Sequence, residues 1–171
     1  SIMERFEKGG NIFEIAQWYP RVCAYTDVRG WQNKAFLGRG EFALEFGNYQ
    51  VQITAPDNHV VASTGELKNG DQVLKPIWQK RLKNAESVKS PMFIVTPEEA
   101  AKNEESKSRG TKTWIFEAKN VRDFAWASSK KFIWDAVQHK LTTSKKPVWA
   151  MSYYPNEAEP LWSTYSTHSI I

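Results

Sequence analysis

Period-two alternation is the feature that most narrows what this chain can become. Phe42, Leu44 and Phe46 alternate with Glu41, Ala43 and Glu45; after Gly47-Asn48 the alternation resumes with Tyr49, Val51 and Ile53 against Gln50, Gln52 and Thr54. Successive side chains of a strand point to opposite faces, so each run offers one face to a core and one to water. A Gly-Asn pair between two such runs predicts a tight hairpin turn, because glycine takes positive φ without steric cost. Pro56-Asp57-Asn58 then ends the second strand. Further strands are predicted over residues 59–67 (with a bulge at Gly65), 91–95, 111–118, the stretch holding Phe124 and Trp126, 131–138 and 148–154. Lys119-Asn120 reads as a turn and residues 140–146 as a polar connection.

Helical spacing occurs in few places. Leu74, Ile77, Trp78, Leu82, Ala85 and Val88 predict an amphipathic helix over residues 75–88, with Asp71 as its N-cap and Pro76 in its first turn. Residues 97–102 read as one helical turn and 103–110 as an exposed polar loop. Residues 156–171 begin as a helix capped by Asn156, with Glu157 and Glu159 suiting the positive end of the helix dipole. The apolar Leu161, Trp162 and Tyr165 there would otherwise face water, so this segment is expected to be poorly anchored or to pack against another copy, its partners lying in a missing domain. The order of elements gives a mainly β fold: antiparallel sheets in a sandwich or saddle-like arrangement, with one or two short helices.

Composition agrees. Aromatic residues reach 13%, with eight Trp, and large rings pack well on a half-buried pleated surface. With 171 residues the chain can bury a core without staples, and the single Cys23 allows no internal disulfide. The net charge of +4 is mild, and its Lys and Arg groups (Lys80-Arg81, Lys130-Lys131, Lys145-Lys146) are scattered, so nucleic acid is not the expected partner. No run of 18 apolar residues is present, so no membrane span is expected. The chain starts without Met, shows no signal-peptide pattern and stops inside an apolar segment; it reads as an excised piece.

Recognisable chemistry is sparse. His59, His139 and His168 are far apart in sequence, and no H-E-x-x-H helix is present to put two imidazoles and a general base on one face. G-x-S-x-G is missing, and Gly38-Arg39-Gly40 lacks the third glycine of a dinucleotide site. Glu98-Glu99 and Glu104-Glu105 lie in polar surroundings and read as solvated charge, since paired carboxylates need an enclosed site to separate their roles. The residues taken alone describe a β domain with catalytic, metal and cofactor sites all unassigned.

Several stretches taken in order carry a resemblance. They are Ile15-Ala-Gln-Trp-Tyr-Pro-Arg21, Tyr25-Thr-Asp-Val-Arg-Gly-Trp31, Phe36-Leu-Gly-Arg-Gly-Glu-Phe42, Ile53-Thr-Ala-Pro-Asp-Asn-His-Val60, Gly65-Glu-Leu67, Thr113-Trp-Ile-Phe-Glu-Ala-Lys-Asn-Val-Arg-Asp-Phe-Ala-Trp-Ala127 and Tyr153-Tyr-Pro155. Together they resemble the N-terminal domain of gluzincin zinc aminopeptidases, the family of aminopeptidase N and leukotriene A hydrolase, and most closely its bacterial branch. The resemblance implies that residues 1–140 form a non-catalytic saddle-like β domain and that residues 141–171 are the connection to, and the start of, a thermolysin-like catalytic domain. It implies a full-length zinc metallopeptidase that removes N-terminal residues from peptides, with zinc held by H-E-x-x-H and a distal Glu on polypeptide outside this sequence. The fragment itself is expected to be inactive and zinc-free, with the missing catalytic domain and the peptide substrate as the parent's partners. Within this chain the resemblance singles out Gln17, whose amide would border the pocket for the substrate's first side chain. Two other expectations stand beside it: a carbohydrate- or protein-binding β module, motivated by the Trp content, and a scaffold from a relative that has lost catalysis.

Overall fold

A computed structural model describes residues 2–7, 10–33, 43–142 and 146–169. These residues build four antiparallel sheets. The first has the order β1 (Ile2–Glu7), β2 (Gly10–Ile15), β10 (Trp126–Ser129), β6 (Val60–Ser63). The second has β9 (Thr111–Val121) between β5 (Gly47–Pro56) and β7 (Glu66–Leu67). The third has β11 (Ile133–Lys140) between β12 (Pro147–Tyr154) and β8 (Met92–Val95). The fourth is a small hairpin of β3 (Tyr25–Thr26) and β4 (Gly30–Trp31). The mainly β, antiparallel class expected from the alternation is therefore the class observed, without barrel closure.

One pairing differs from the expected one. Gly47 and Asn48 belong to β5 itself, and Ala43–Phe46 form no ladder; Glu41 and Phe42 lie outside the described residues. The partner of β5 is the distant β9, with Val51 opposite Phe116 and Ile53 opposite Trp114. Alternation decides which face of a strand is buried but not which strand lies beside it. Lys119 and Asn120 likewise sit inside β9 and not in a turn. Asn120 has φ 55° and donates its backbone N–H to Asn48 Oδ1 at 2.9 Å, near where the β5–β9 register shifts.

Gly65 marks more than a bulge. The chain leaves β6 in the first sheet and enters β7 in the second here, with φ +90° at Gly65. A Cβ would lie 2.5 Å from the Glu117 carbonyl oxygen, so the crossing needs both the positive φ and the missing side chain of glycine.

Among the described residues four short α-helices accompany the strands: α1 (Gly70–Val73), α2 (Pro76–Ala85), α3 (Pro97–Glu104) and α4 (Tyr165–His168). Asp71 lies in α1 and is not the cap of α2, whose N-cap is Lys75 with no side-chain bond; Pro76 takes the first helical position, where its missing N–H is harmless. Helix α2 buries Trp78 and Ala85. Helix α3 is longer than the expected single turn because it has a full capping box. Thr96 Oγ1 accepts from the Glu99 N–H at 3.2 Å, and the Glu99 carboxylate accepts from the Thr96 N–H at 3.0 Å. Glu99 also pairs with Arg81 of α2, so this carboxylate is a structural tie and not solvated charge. Residues 156–169 form two 3₁₀ turns followed by α4, with Pro155 and not Asn156 at the first N-cap. Trp162 packs on the core of the same chain, while Leu161 and Tyr165 stay exposed.

The three larger sheets share one hydrophobic cluster, in which Ile53, Val60, Trp114, Phe124, Ile133 and Tyr154 are buried together. Strand β11 is buried on both faces along Ile133–Val137, as befits a central strand covered on each side.

Candidate functional site

Gln17 sits at a corner where two strands part. Strand β2 ends at Ile15, paired with Trp126 of β10. Past that pair the two segments still run side by side through side-chain bonds. The Trp18 indole N–H donates to the Phe124 carbonyl oxygen at 3.0 Å, and the Tyr19 hydroxyl donates to Asp123 Oδ1 at 2.8 Å. Between these points Gln17 has φ 52°. For a residue with a Cβ this left-handed conformation costs roughly 1–2 kcal/mol.

The surroundings of Gln17 are ordered by the Asp123 carboxylate. Oδ1 also accepts from the Phe124 N–H at 2.8 Å, and Oδ2 pairs with the Arg21 guanidinium at 3.2 Å. Phe124 is fully buried, so the anchor is part of the core. The Tyr19 ring meets Trp18 and Tyr49 edge-on, Arg21 lies 5.6 Å from its centroid, and the phenol oxygens of Tyr19 and Tyr49 are hydrogen-bonded at 3.0 Å. Burial, helped by the Tyr49 and Asp123 contacts, pushes the Tyr19 phenol far above the ordinary tyrosine range, so it remains a donor at any physiological pH. Beside this corner lies an open pocket of about 370 Å³, bordered by Tyr19, Arg21, Phe46, Tyr49 and Arg122.

The remaining sequence candidates are dispersed. His59 is half-buried, bonded through Nδ1 to Ser128 Oγ at 2.8 Å and stacked on Phe13. Burial, and then the charge of Lys130, hold its imidazole below the usual histidine value, so it is neutral near pH 7. His139 lies in β11 and His168 is exposed at the end of α4. Among the described residues no group of three or more His, Cys, Asp or Glu is placed to hold a metal ion. No helix of the described residues is long and apolar enough to cross a membrane.

Two features escaped the sequence reading. One is a cleft of about 600 Å³ whose walls carry two stacked ring pairs, Trp114 on Phe116 and Trp134 on Tyr153, with Trp149 and Met151 beside them. The other is Asp135, a carboxylate buried in β11. Alternating apolar residues predict the strands but not which rings would line one cleft, and Asp135 sits in a run that otherwise reads as core.

Compared with known proteins, the chain matches no family model, no curated protein and no solved structure.

Proposed function

We propose that this chain is the non-catalytic N-terminal β domain of a zinc-dependent, aminopeptidase N-like enzyme, forming one wall of the active-site cleft and presenting Gln17 to the amino end of a peptide. The ordered resemblance across the chain motivates this reading, and the antiparallel β architecture is compatible with it. The observation that carries the role of Gln17 is its positive φ. Glycine would satisfy the same corner without strain, and a strained backbone at a side chain able both to donate and to accept is the pattern of a residue held for binding. The metal chemistry of peptide hydrolysis belongs, on this reading, to the parent's catalytic domain, and no step of it is assigned to this chain.

The test is made in the parent protein with aminoacyl-p-nitroanilides. Chelator-sensitive hydrolysis is expected, and Gln17→Ala is expected to raise KM several-fold with little change in kcat, since the contact would be made equally in ground and transition states. A parent with no chelator-sensitive aminopeptidase activity would overturn the reading. An unchanged KM in the variant would remove Gln17 from it.

A second reading, a ligand-binding β module, draws on the ring-lined cleft beside Trp134 and Trp149. Sugar rings pack well on such faces. Titration of a glycan panel against Trp fluorescence decides it: saturable quenching that is lost in Trp149→Ala supports the module, and no response across the panel rejects it.

A further inference from the structure

We infer that Asp123 is a positioning residue that holds Gln17 in its left-handed conformation, acting through Tyr19 and Arg21. Gln17 is bracketed by two fixed points on the same stretch of chain. On one side Ile15 is paired with Trp126. On the other, Trp18 is bonded to the Phe124 carbonyl oxygen, and Tyr19 and Arg21 are bonded to Asp123. Both carboxylate oxygens are committed: Oδ1 to the Tyr19 hydroxyl and the Phe124 N–H, Oδ2 to Arg21. A backbone change at Gln17 that shifts the following segment therefore breaks a carboxylate bond to Tyr19 and another to Arg21. Charge-assisted bonds of this sort are about twice as strong as neutral ones, enough to outweigh a single left-handed residue. Asp123 itself sits at the corner between β9 and β10, with its backbone fixed by the buried Phe124 ring.

This inference rests on the proposed function only for the purpose of the held side chain; the clamp is tested on the 171-residue chain alone. Two readouts are used. The first is the NMR HN–Hα coupling and Cα shift of Gln17, which distinguish left-handed from extended backbone. In folded Asp123→Ala the left-handed signature is expected to disappear, and in Asp123→Glu, which keeps the carboxylate, it is expected to return in part. The second is a double-mutant cycle in urea. Gln17→Gly is expected to raise the folded-to-unfolded ratio about two- to fivefold in the native background, because glycine removes the strain, and to give no gain in Asp123→Ala, where the strain is already released. If Asp123→Ala does not fold, Tyr19→Phe is examined in its place; it deletes one clamp bond at constant ring size, and a weakened left-handed signature is expected. Retention of the full signature in a folded Asp123→Ala, or in Tyr19→Phe when the former is unfolded, overturns the inference. So does an equal gain from Gln17→Gly in both backgrounds. Loss of the signature in Asp123→Ala together with an inactive parent would leave the clamp standing and sink the peptidase reading.

Discussion

Asp135 shows how much a single residue can depend on what surrounds it. Its carboxylate is 3% exposed and makes no hydrogen bond of good geometry. Burial pushes its pKa upward; the facing hydroxyls of Ser166 and Tyr154 offset part of this, and Glu159 adds to it. A carboxyl whose folded pKa exceeds its unfolded value near 3.9 holds a proton in the native state after the unfolded chain has released its own. Its contribution to stability is thus complete below that unfolded value and lost as pH rises through the folded one. Asp135→Asn, which cannot ionise, is expected to match or exceed the native chain at pH 7, and the difference between the two is expected to shrink toward pH 3. Urea unfolding at a series of pH values checks this; a variant less stable by the same amount at every pH would contradict it. The residue-level facts were unevenly legible in sequence. Gln17 is singled out by resemblance, but its φ is not visible in sequence, because the contacts that fix the flanking residues Trp18 and Tyr19 come from Phe124 and Asp123, more than a hundred residues away. Glu99 read as solvated charge because Arg81, which meets it, lies 18 positions away.

At the scale of elements, hydrophobic period predicted strand positions well and strand partners poorly. Strands β8, β11 and β12 fall within one or two residues of the expected segments. The expected hairpin across Gly47-Asn48 is replaced by pairing between β5 and β9, because two strands with compatible apolar faces can pair at any sequence separation that the connections permit. Gly65 shows the reverse case, a position whose importance is legible as an interruption but whose reason is tertiary. Gly65→Ala is expected to destabilise the chain by at least about 2 kcal/mol, since it combines a clash against the Glu117 carbonyl with a backbone angle that alanine disfavours. A thermal or urea midpoint close to that of the native chain would show that β7 can move away from β9 at little cost.

For the whole molecule, the ion pair at Lys131 joins parts that sequence alone keeps apart. The Lys131 side chain is 1% exposed; its ammonium pairs with Glu157 in the C-terminal segment and lies 3.8 Å from Glu104 at the end of α3. Residues 133–140 and 147–154 also pair along their whole length, across the position where a boundary was expected from resemblance. Removing Glu157 leaves a buried cation with less compensation, whereas removing Lys131 leaves a half-exposed carboxylate that water can reach. Glu157→Ala is therefore expected to cost about 2–4 kcal/mol, and Lys131→Met less, with faster amide exchange over residues 156–169 in both. Equal stability of the two variants, with unchanged exchange, would show that the C-terminal segment is held by Trp162 and Ser166 without help from the charges. By itself the sequence determined the class of fold, the faces that go inward and most strand positions, because these depend on the period of apolar residues along a short stretch of chain. Only the tertiary structure decided which strands pair, where Gln17 is strained, what Asp123 and Lys131 hold, and which rings line a common cleft, because each of these is a contact between residues that local pattern leaves free to meet other partners.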